Sequence, residues 1–82
     1  MPEVVIYTKD WCGYCSAAKA LLTRLGFRYQ EIDVTHDRAL YGEMLARAEG
    51  RSTVPQIFFD NAGIGGYTDL ASKAANGTLP VA

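Results

Sequence analysis

Two cysteines separated by two residues are the most reactive side chains in this sequence. Cys12 and Cys15 stand in the segment Trp11-Cys12-Gly13-Tyr14-Cys15. Only a thiolate attacks a disulfide efficiently, and free cysteine has a pKa of about 8.5, so a working thiol needs surroundings that stabilise its anion. The spacing therefore predicts thiol-disulfide exchange, with a structural pair or half of a metal site as the alternatives.

Position along the chain predicts different roles for the two thiols. Cys12 directly precedes a predicted helix, where unpaired N–H groups and the helix dipole favour an anion, and Lys9 is close enough to add a positive charge. Cys15 lies one turn into the helix on the same face, so its sulfur can reach Cys12. We predict that Cys12 is the nucleophile and Cys15 the resolving thiol. Asp10 would oppose a Cys12 thiolate unless its carboxylate points into solvent.

Zinc binding is a weaker interpretation of the pair, because an ordinary structural zinc site needs four ligands. His36 is the only other imidazole or thiolate in the chain, and it stands beside a predicted helix start. We expect His36 to be a solvent-facing loop residue. We expect no metal site, apart from Cys12 if an iron-sulfur cluster binds.

The spacing of apolar residues predicts the elements that position this pair. Residues 3–8 contain a short β-branched run typical of a strand covered on both faces, whereas other segments show helical or alternating spacing. Strands are predicted over 3–8, 27–34 and 56–59, helices over 16–25, 37–48 and 69–75, a turn over 60–63, and a very short fourth strand from Ile64. Thr35 or Asp37 is expected to cap the second helix, and 79–82 is expected to fray. The fold class is α/β in the order βαβαββα, a four-stranded mixed sheet flanked by three helices.

Length and composition limit the class of protein. The chain has 82 residues, 49% of them hydrophobic, and a net charge of -1, so we expect one domain over 1–82 and neither a disordered nor a nucleic-acid-coating protein. Apolar stretches are too short to cross a membrane, and the first residues lack a secretory pattern. We therefore expect a cytoplasmic protein without nucleic-acid or membrane partners, in a reducing compartment that disfavours a structural disulfide.

Five segments of the chain resemble glutaredoxins in order and separation. They are Tyr7-Thr8-Lys9, Cys12-Gly13-Tyr14-Cys15, Glu31-Ile32-Asp33-Val34, Thr53-Val54-Pro55-Gln56-Ile57-Phe58 and Gly65-Gly66-Tyr67-Thr68-Asp69-Leu70. The resemblance implies a thioredoxin fold, with glutathione as the reductant. It also implies reduction of glutathione mixed disulfides and of protein disulfides, so the expected partners are glutathione and glutathionylated or disulfide-containing proteins.

The same resemblance implies a glutathione site. A cis Val54-Pro55 peptide is expected to turn the Val54 backbone toward the cysteine, where it can pair with an extended tripeptide. Thr68 and Asp69 are expected to receive the γ-glutamyl carboxylate at a helix start, and Lys9 with Arg51 the glycyl carboxylate. The implied glutathione-binding residues are Lys9, Tyr14, Arg51, Thr53, Val54, Pro55, Gly66, Tyr67, Thr68 and Asp69.

Three residues depart from the family pattern and keep other functions open. Gly13 stands where many members have proline, and in this respect the chain resembles members that bridge a [2Fe-2S] cluster between two protomers with two glutathiones. Trp11 is bulky enough to serve as a contact surface or to shield a cluster, and Gly42 replaces a long polar side chain that helps to hold glutathione. The alternative to a monomeric oxidoreductase is therefore a glutathione-dependent [2Fe-2S] homodimer that carries or senses clusters. A thioredoxin-type electron donor recycled by a flavoprotein ranks lower.

Overall fold

The structure is a computed structural model that describes residues 1–82. Its seven elements follow the predicted βαβαββα order. They are β1 (Val4–Thr8), α1 (Gly13–Arg24), β2 (Gln30–Asp33), α2 (Arg38–Arg47), β3 (Gln56–Phe59), β4 (Ala62–Gly65) and α3 (Tyr67–Asn76). The predicted four-stranded mixed sheet with three helices is confirmed. No helix combines the length and the apolar character needed to span a bilayer.

The sheet has the strand order β2-β1-β3-β4. Strand β1 pairs with β2 in parallel and with β3 antiparallel, and β4 joins β3 as a hairpin. The two central strands, β1 and β3, are buried along their whole length, which explains their uninterrupted apolar sequences. The end of β1 therefore leads the chain directly from the middle of the sheet into the loop that carries the cysteines.

Side chains alternate across the sheet and form two cores. On one face Val4 and Ile6 pack against Ala18 and Leu22 of α1 and Leu70 of α3. On the other face, α2 packs against the opposite side of β1 and β3; that core comprises Val5, Tyr7, Val34, Met44, Ala48 and Phe58. Helices α1 and α3 thus share a face, which brings the cysteine motif near the start of α3.

Two helices begin earlier than the sequence predicts. Helix α1 starts at Gly13 instead of 16, because the Cys12 side chain caps it by accepting a hydrogen bond from Cys15 N. Helix α3 starts at Tyr67 instead of 69, because the Asp69 carboxylate reaches back to Gly66 N at 2.9 Å. Helix α2 is capped by Asp37, one of the two residues predicted for that role.

Two strands and the carboxyl-terminal tail also differ from the prediction. Strand β2 starts only at Gln30, since the N–H of the buried Phe27 is bonded to Leu22 O at the end of α1. The turn before β4 is shorter than 60–63, because Asp60 and Asn61 adopt left-handed φ angles of 50° and 69° and reverse the chain in two residues. In the tail, Leu79 packs against the α1/α3 core instead of fraying.

Candidate active site

The start of α1 places the two cysteines side by side with unequal exposure. Cys12 is the N-cap residue, and its Sγ accepts the backbone N–H of Cys15 at 3.1 Å. Cys12 is partly exposed, whereas Cys15 is 2% exposed. Both are free thiols. The geometry therefore offers one accessible sulfur with a second one directly behind it.

Burial separates the acidities of the two thiols. It raises the pKa of Cys15 to about 12, and a side-chain hydrogen bond with Cys12 adds to the shift. The backbone N–H of Lys9 and the charge of Lys19 act in the opposite direction. At neutral pH Cys15 is consequently a protonated thiol, and it is not available to attack a disulfide from solution.

The loop before β3 supplies a backbone surface next to Cys12. The Val54–Pro55 peptide bond is cis, as predicted. The Cys12 thiol donates to the Val54 carbonyl oxygen at 3.8 Å. The preceding residue is held by Gln56, whose Nε2 donates to Thr53 O at 2.9 Å and to Thr53 Oγ1 at 3.1 Å. Gln56 was missed as a site residue because it lies within a strand, where alternation predicts only burial.

Nine of the ten residues predicted to bind glutathione line one groove, here called the Tyr14 groove. They are Tyr14, Arg51, Thr53, Val54, Pro55, Gly66, Tyr67, Thr68 and Asp69. Tyr14 is 66% exposed and leans on Tyr67, with ring centroids 6.0 Å apart, so the two rings form a wall. Val54, one of the lining residues, links the groove to Cys12 because its carbonyl oxygen contacts the Cys12 sulfur.

The start of α3 forms the far end of the Tyr14 groove. Its cap is a glycine, which offers no side-chain acceptor to the first N–H groups of the helix, so they remain available to an anion. Arg51 lies at this end, with Nη2 3.7 Å from Asp69 Oδ2. A Cβ on Gly66 would come within 3.3 Å of Pro55 O, which shows how closely the two segments approach.

Lys9 is the one predicted glutathione residue outside the Tyr14 groove. Its Nζ lies 4.5 Å from the ring centroid of Tyr41, which it faces. There it lines a depression beside Gly42, whose missing side chain leaves open space. Lys9 and Arg51, which the prediction joined at one carboxylate, therefore line different depressions.

Asp10, in the loop before α1, lies next to His36, in the loop before α2. The Asp10 carboxylate is directed at His36 Nε2, 3.8 Å away, and the Asp10 N–H donates to Thr35 Oγ1 at 2.8 Å. His36 is 89% exposed, as its loop position predicted. No group of three or more His, Cys, Asp or Glu side chains is arranged to hold a metal ion.

A second depression adjoins Cys12, here called the Trp11 cleft. It shares no residue with the Tyr14 groove. Its lining residues are Lys9, Asp10, Trp11, Cys12, Gly13, Cys15, Ser16, Lys19, Glu31 and Asp33. Within it Lys19 Nζ lies 3.1 Å from Glu31 Oε2, which also accepts from Thr8 Oγ1 at 2.7 Å. Lys19 and Glu31 were not predicted as site residues, although the spacing of four between Cys15 and Lys19 on one helix was a usable signal.

Comparisons with known proteins place the chain in one family. Residues 4–64 match the family model described as Glutaredoxin. Glutaredoxin 3 of Escherichia coli strain K12 is 48% identical over 79 residues, which cover 96% of this chain and 94% of that protein.

Two solved structures show the same architecture. The buckwheat glutaredoxin-glutathione complex superposes with a TM-score of 0.83 at 34% identity, covering 95% of this chain and 73% of that one. The solution structure of glutaredoxin from Brucella melitensis gives a TM-score of 0.80 at 44% identity, covering 94% and 83%. With its mixed sheet, three helices and Cys12 as the cap of α1, this chain has the thioredoxin fold and belongs to the glutaredoxin family of thiol-disulfide oxidoreductases.

Proposed function

We propose that this protein reduces glutathione mixed disulfides and protein disulfides with glutathione as the reductant. The observation that carries the proposal is the Tyr14 groove, in which nine residues assigned to glutathione line one surface. The Val54 carbonyl of that groove lies 3.8 Å from Cys12 Sγ, so a tripeptide bound there would bring its sulfur to the nucleophile. The buckwheat relative is described as a glutathione complex.

The reaction uses the two thiols in turn. The Cys12 thiolate attacks the glutathione sulfur of a mixed disulfide, forms a Cys12-glutathione disulfide and expels the substrate thiolate, which takes up a proton. A second glutathione thiolate then attacks the bound glutathione sulfur, which yields oxidised glutathione and frees Cys12. Alternatively, Cys15 loses its proton, attacks Cys12 and releases the bound glutathione, and the Cys12-Cys15 disulfide awaits reduction.

The groove suggests how glutathione is oriented. The Val54 backbone pairs with the extended tripeptide as a neighbouring strand would. The γ-glutamyl carboxylate lies at the start of α3, where free N–H groups, the Thr68 hydroxyl and the Arg51 guanidinium converge. Lys9 remains for the glycyl carboxylate at the other end. Arg51 is thus assigned to the γ-glutamyl end, because its partner Asp69 belongs to α3.

The test is glutathione-dependent reduction of a small glutathione mixed disulfide. Cys12→Ser should abolish the activity, and Cys15→Ser should keep at least part of it. Thr68→Val should raise the KM for glutathione several-fold, whereas Ser72→Ala, one turn further along α3 and outside the groove, should not. A wild-type protein inactive with glutathione but active with a thioredoxin reductase as electron source would overturn the proposal.

A cluster-carrying homodimer is the second candidate, and the exposure of Cys12 favours it. This chain supplies one accessible thiol and no metal-binding group of its own, so a [2Fe-2S] cluster would need a second copy and two glutathione thiols. Gly13 leaves open space beside Cys12 for such an approach. Anaerobic purification tests it: a Cys12-dependent visible chromophore in a dimer with negligible reductase activity would make this the main function, and a colourless active monomer would exclude it.

A further inference from the structure

Trp11 is an exposed aromatic residue directly beside the nucleophile. Its side chain is fully exposed. The next most exposed large hydrophobic residues, Met1 and Val81, lie at the chain termini. Tryptophan is usually highly buried in proteins, and its large ring contributes strongly to interfaces. An unpacked tryptophan in an internal loop therefore offers contact area to another molecule.

The backbone holds Trp11 in this exposed position. Its φ angle is 59°, in the left-handed region that bulky residues rarely adopt. The loop is anchored on both sides, by the bond from Asp10 N–H to Thr35 Oγ1 and by Cys12 as the cap of α1. The strain is thus imposed by the chain on either side. Strained residues of this kind concentrate at functional sites, where the surrounding structure maintains them.

The Trp11 cleft is lined by more carboxylates than ammonium groups. Lys19 is paired with Glu31, and the Nζ of Lys9 faces the Tyr41 ring. Two carboxylates remain, those of Asp10 and Asp33. Hydrogen bonds from the Thr35 hydroxyl and N–H hold the pKa of Asp33 below its usual value, so it is ionised at neutral pH. The exposed His36 is the one group set against Asp10.

We propose that the Trp11 cleft docks the protein half of a glutathione mixed disulfide and favours a segment with an arginine next to its cysteine. A guanidinium can stack on the Trp11 ring and at the same time bind the exposed carboxylates of Asp10 and Asp33. The proposal rests on the proposed function, since glutathione then occupies the Tyr14 groove. Cys12 adjoins both surfaces, so the two halves of the substrate would meet at its sulfur.

The test compares glutathionylated peptides that differ only in the residue before cysteine, which is arginine, glutamine or glutamate. Wild type should prefer the arginine peptide to the glutamine peptide by about threefold in kcat/KM, the size of an exposed cation–π contact. Trp11→Asn should remove most of that preference, since asparagine accepts the left-handed backbone without offering a ring. Trp11→Phe should keep most of it, and Val81→Asn, which changes an exposed apolar residue in the tail, should have no effect. The double variant with Asp10→Asn and Asp33→Asn should also reduce the preference for the arginine peptide.

The controls separate the two levels of the proposal. The Trp11 and Val81 variants should reduce the small cysteine-glutathione disulfide within twofold of wild type, because this substrate leaves the cleft empty. If wild type lacks that activity, the proposed function fails. If the activity is present but Trp11→Asn keeps the full arginine preference, the docking proposal alone fails. Dimerisation of wild type that is lost in Trp11→Asn, measured by sedimentation, would identify a second copy of the chain as the occupant of the Trp11 cleft. That result would also overturn the docking proposal.

Discussion

Replacement of Gly65 by alanine should weaken both the fold and the glutathione groove. Gly65 is the buried last residue of β4, with φ at +105°. A Cβ built there would overlap the Asp69 carboxylate and lie 3.0 Å from Arg51 Nη1. The same carboxylate caps α3 through Gly66 N, so the substitution disturbs the helix start as well as the turn.

The expected loss of stability is the sum of two effects. A left-handed backbone costs an alanine about 1–2 kcal/mol, and the loss of a helix cap costs about 1 kcal/mol more. The free energy of unfolding should therefore fall by about 2–3 kcal/mol, which corresponds to a fall in Tm of roughly 10–20 °C in a domain of this size. Urea denaturation measures the first quantity and a thermal melt the second. The KM for glutathione should rise in parallel, since Asp69 and Arg51 both line the groove.

Two comparisons make this reasoning refutable. Gly42→Ala is the same chemical change inside α2, with nothing within 4 Å of the new Cβ, and should stabilise the protein by up to about 1 kcal/mol. In an Asp69→Ala background the overlap and the cap are already absent, so Gly65→Ala should cost only the backbone effect of about 1–2 kcal/mol. Equal costs in both backgrounds, or a Gly65→Ala protein as stable as wild type, would refute the explanation.

Three further changes test other parts of the structure. The raised pKa of Cys15 means that the folded state holds a proton between about pH 9 and 12 that the unfolded state releases. Reduced wild type should therefore lose stability relative to Cys15→Ala as the pH rises above 9. The loss should be at most about 1.4 kcal/mol per pH unit. Tyr7→Phe should cost about 1 kcal/mol in urea denaturation, because the hydroxyl donates to Glu43 and accepts from Arg47. Gly13→Pro should raise the Tm by several degrees, since proline suits the first residue of a helix and the position is open.

The sequence was sufficient for the order of elements because each buried strand has a pattern that few other structures share. The apolar residues of β1 and β3 face a core on both sides, and their predicted bounds differ from the structure by one residue at most. Strand β2 was predicted too long because the Phe27 side chain is buried against Phe59 of β3, while its backbone N–H is bonded to Leu22 O at the end of α1 and not to a strand. Alternation reports the burial of side chains, and burial alone does not show whether the backbone pairs in a sheet.

The starts of α1 and α3 could not be found with the usual capping residues. Helix α1 is capped by the sulfur of Cys12, and α3 by a glycine, so neither site carries the Ser, Thr, Asp or Asn that normally indicates a start. For α3 the spacing of three from Gly66 to Asp69 was an available signal. Lys9 and Arg51 line different depressions because each long side chain has a different partner, Tyr41 for Lys9 and Asp69 for Arg51, and these partners are decided by tertiary structure.

The early start of α1 also accounts for the different roles of the two thiols. A helix that began at 16 would leave both cysteines in a loop, with no reason for one to be exposed and the other buried. As the cap, Cys12 stays at the surface with its sulfur over the first turn, while Cys15, the third helical residue, lies against the interior. Burial then keeps Cys15 protonated. The hydrogen bond from Cys15 N–H holds Cys12 Sγ 3.1 Å from the Cys15 nitrogen. One local feature, a helix capped by sulfur, therefore supplies both the exposed nucleophile and the reserve thiol behind it.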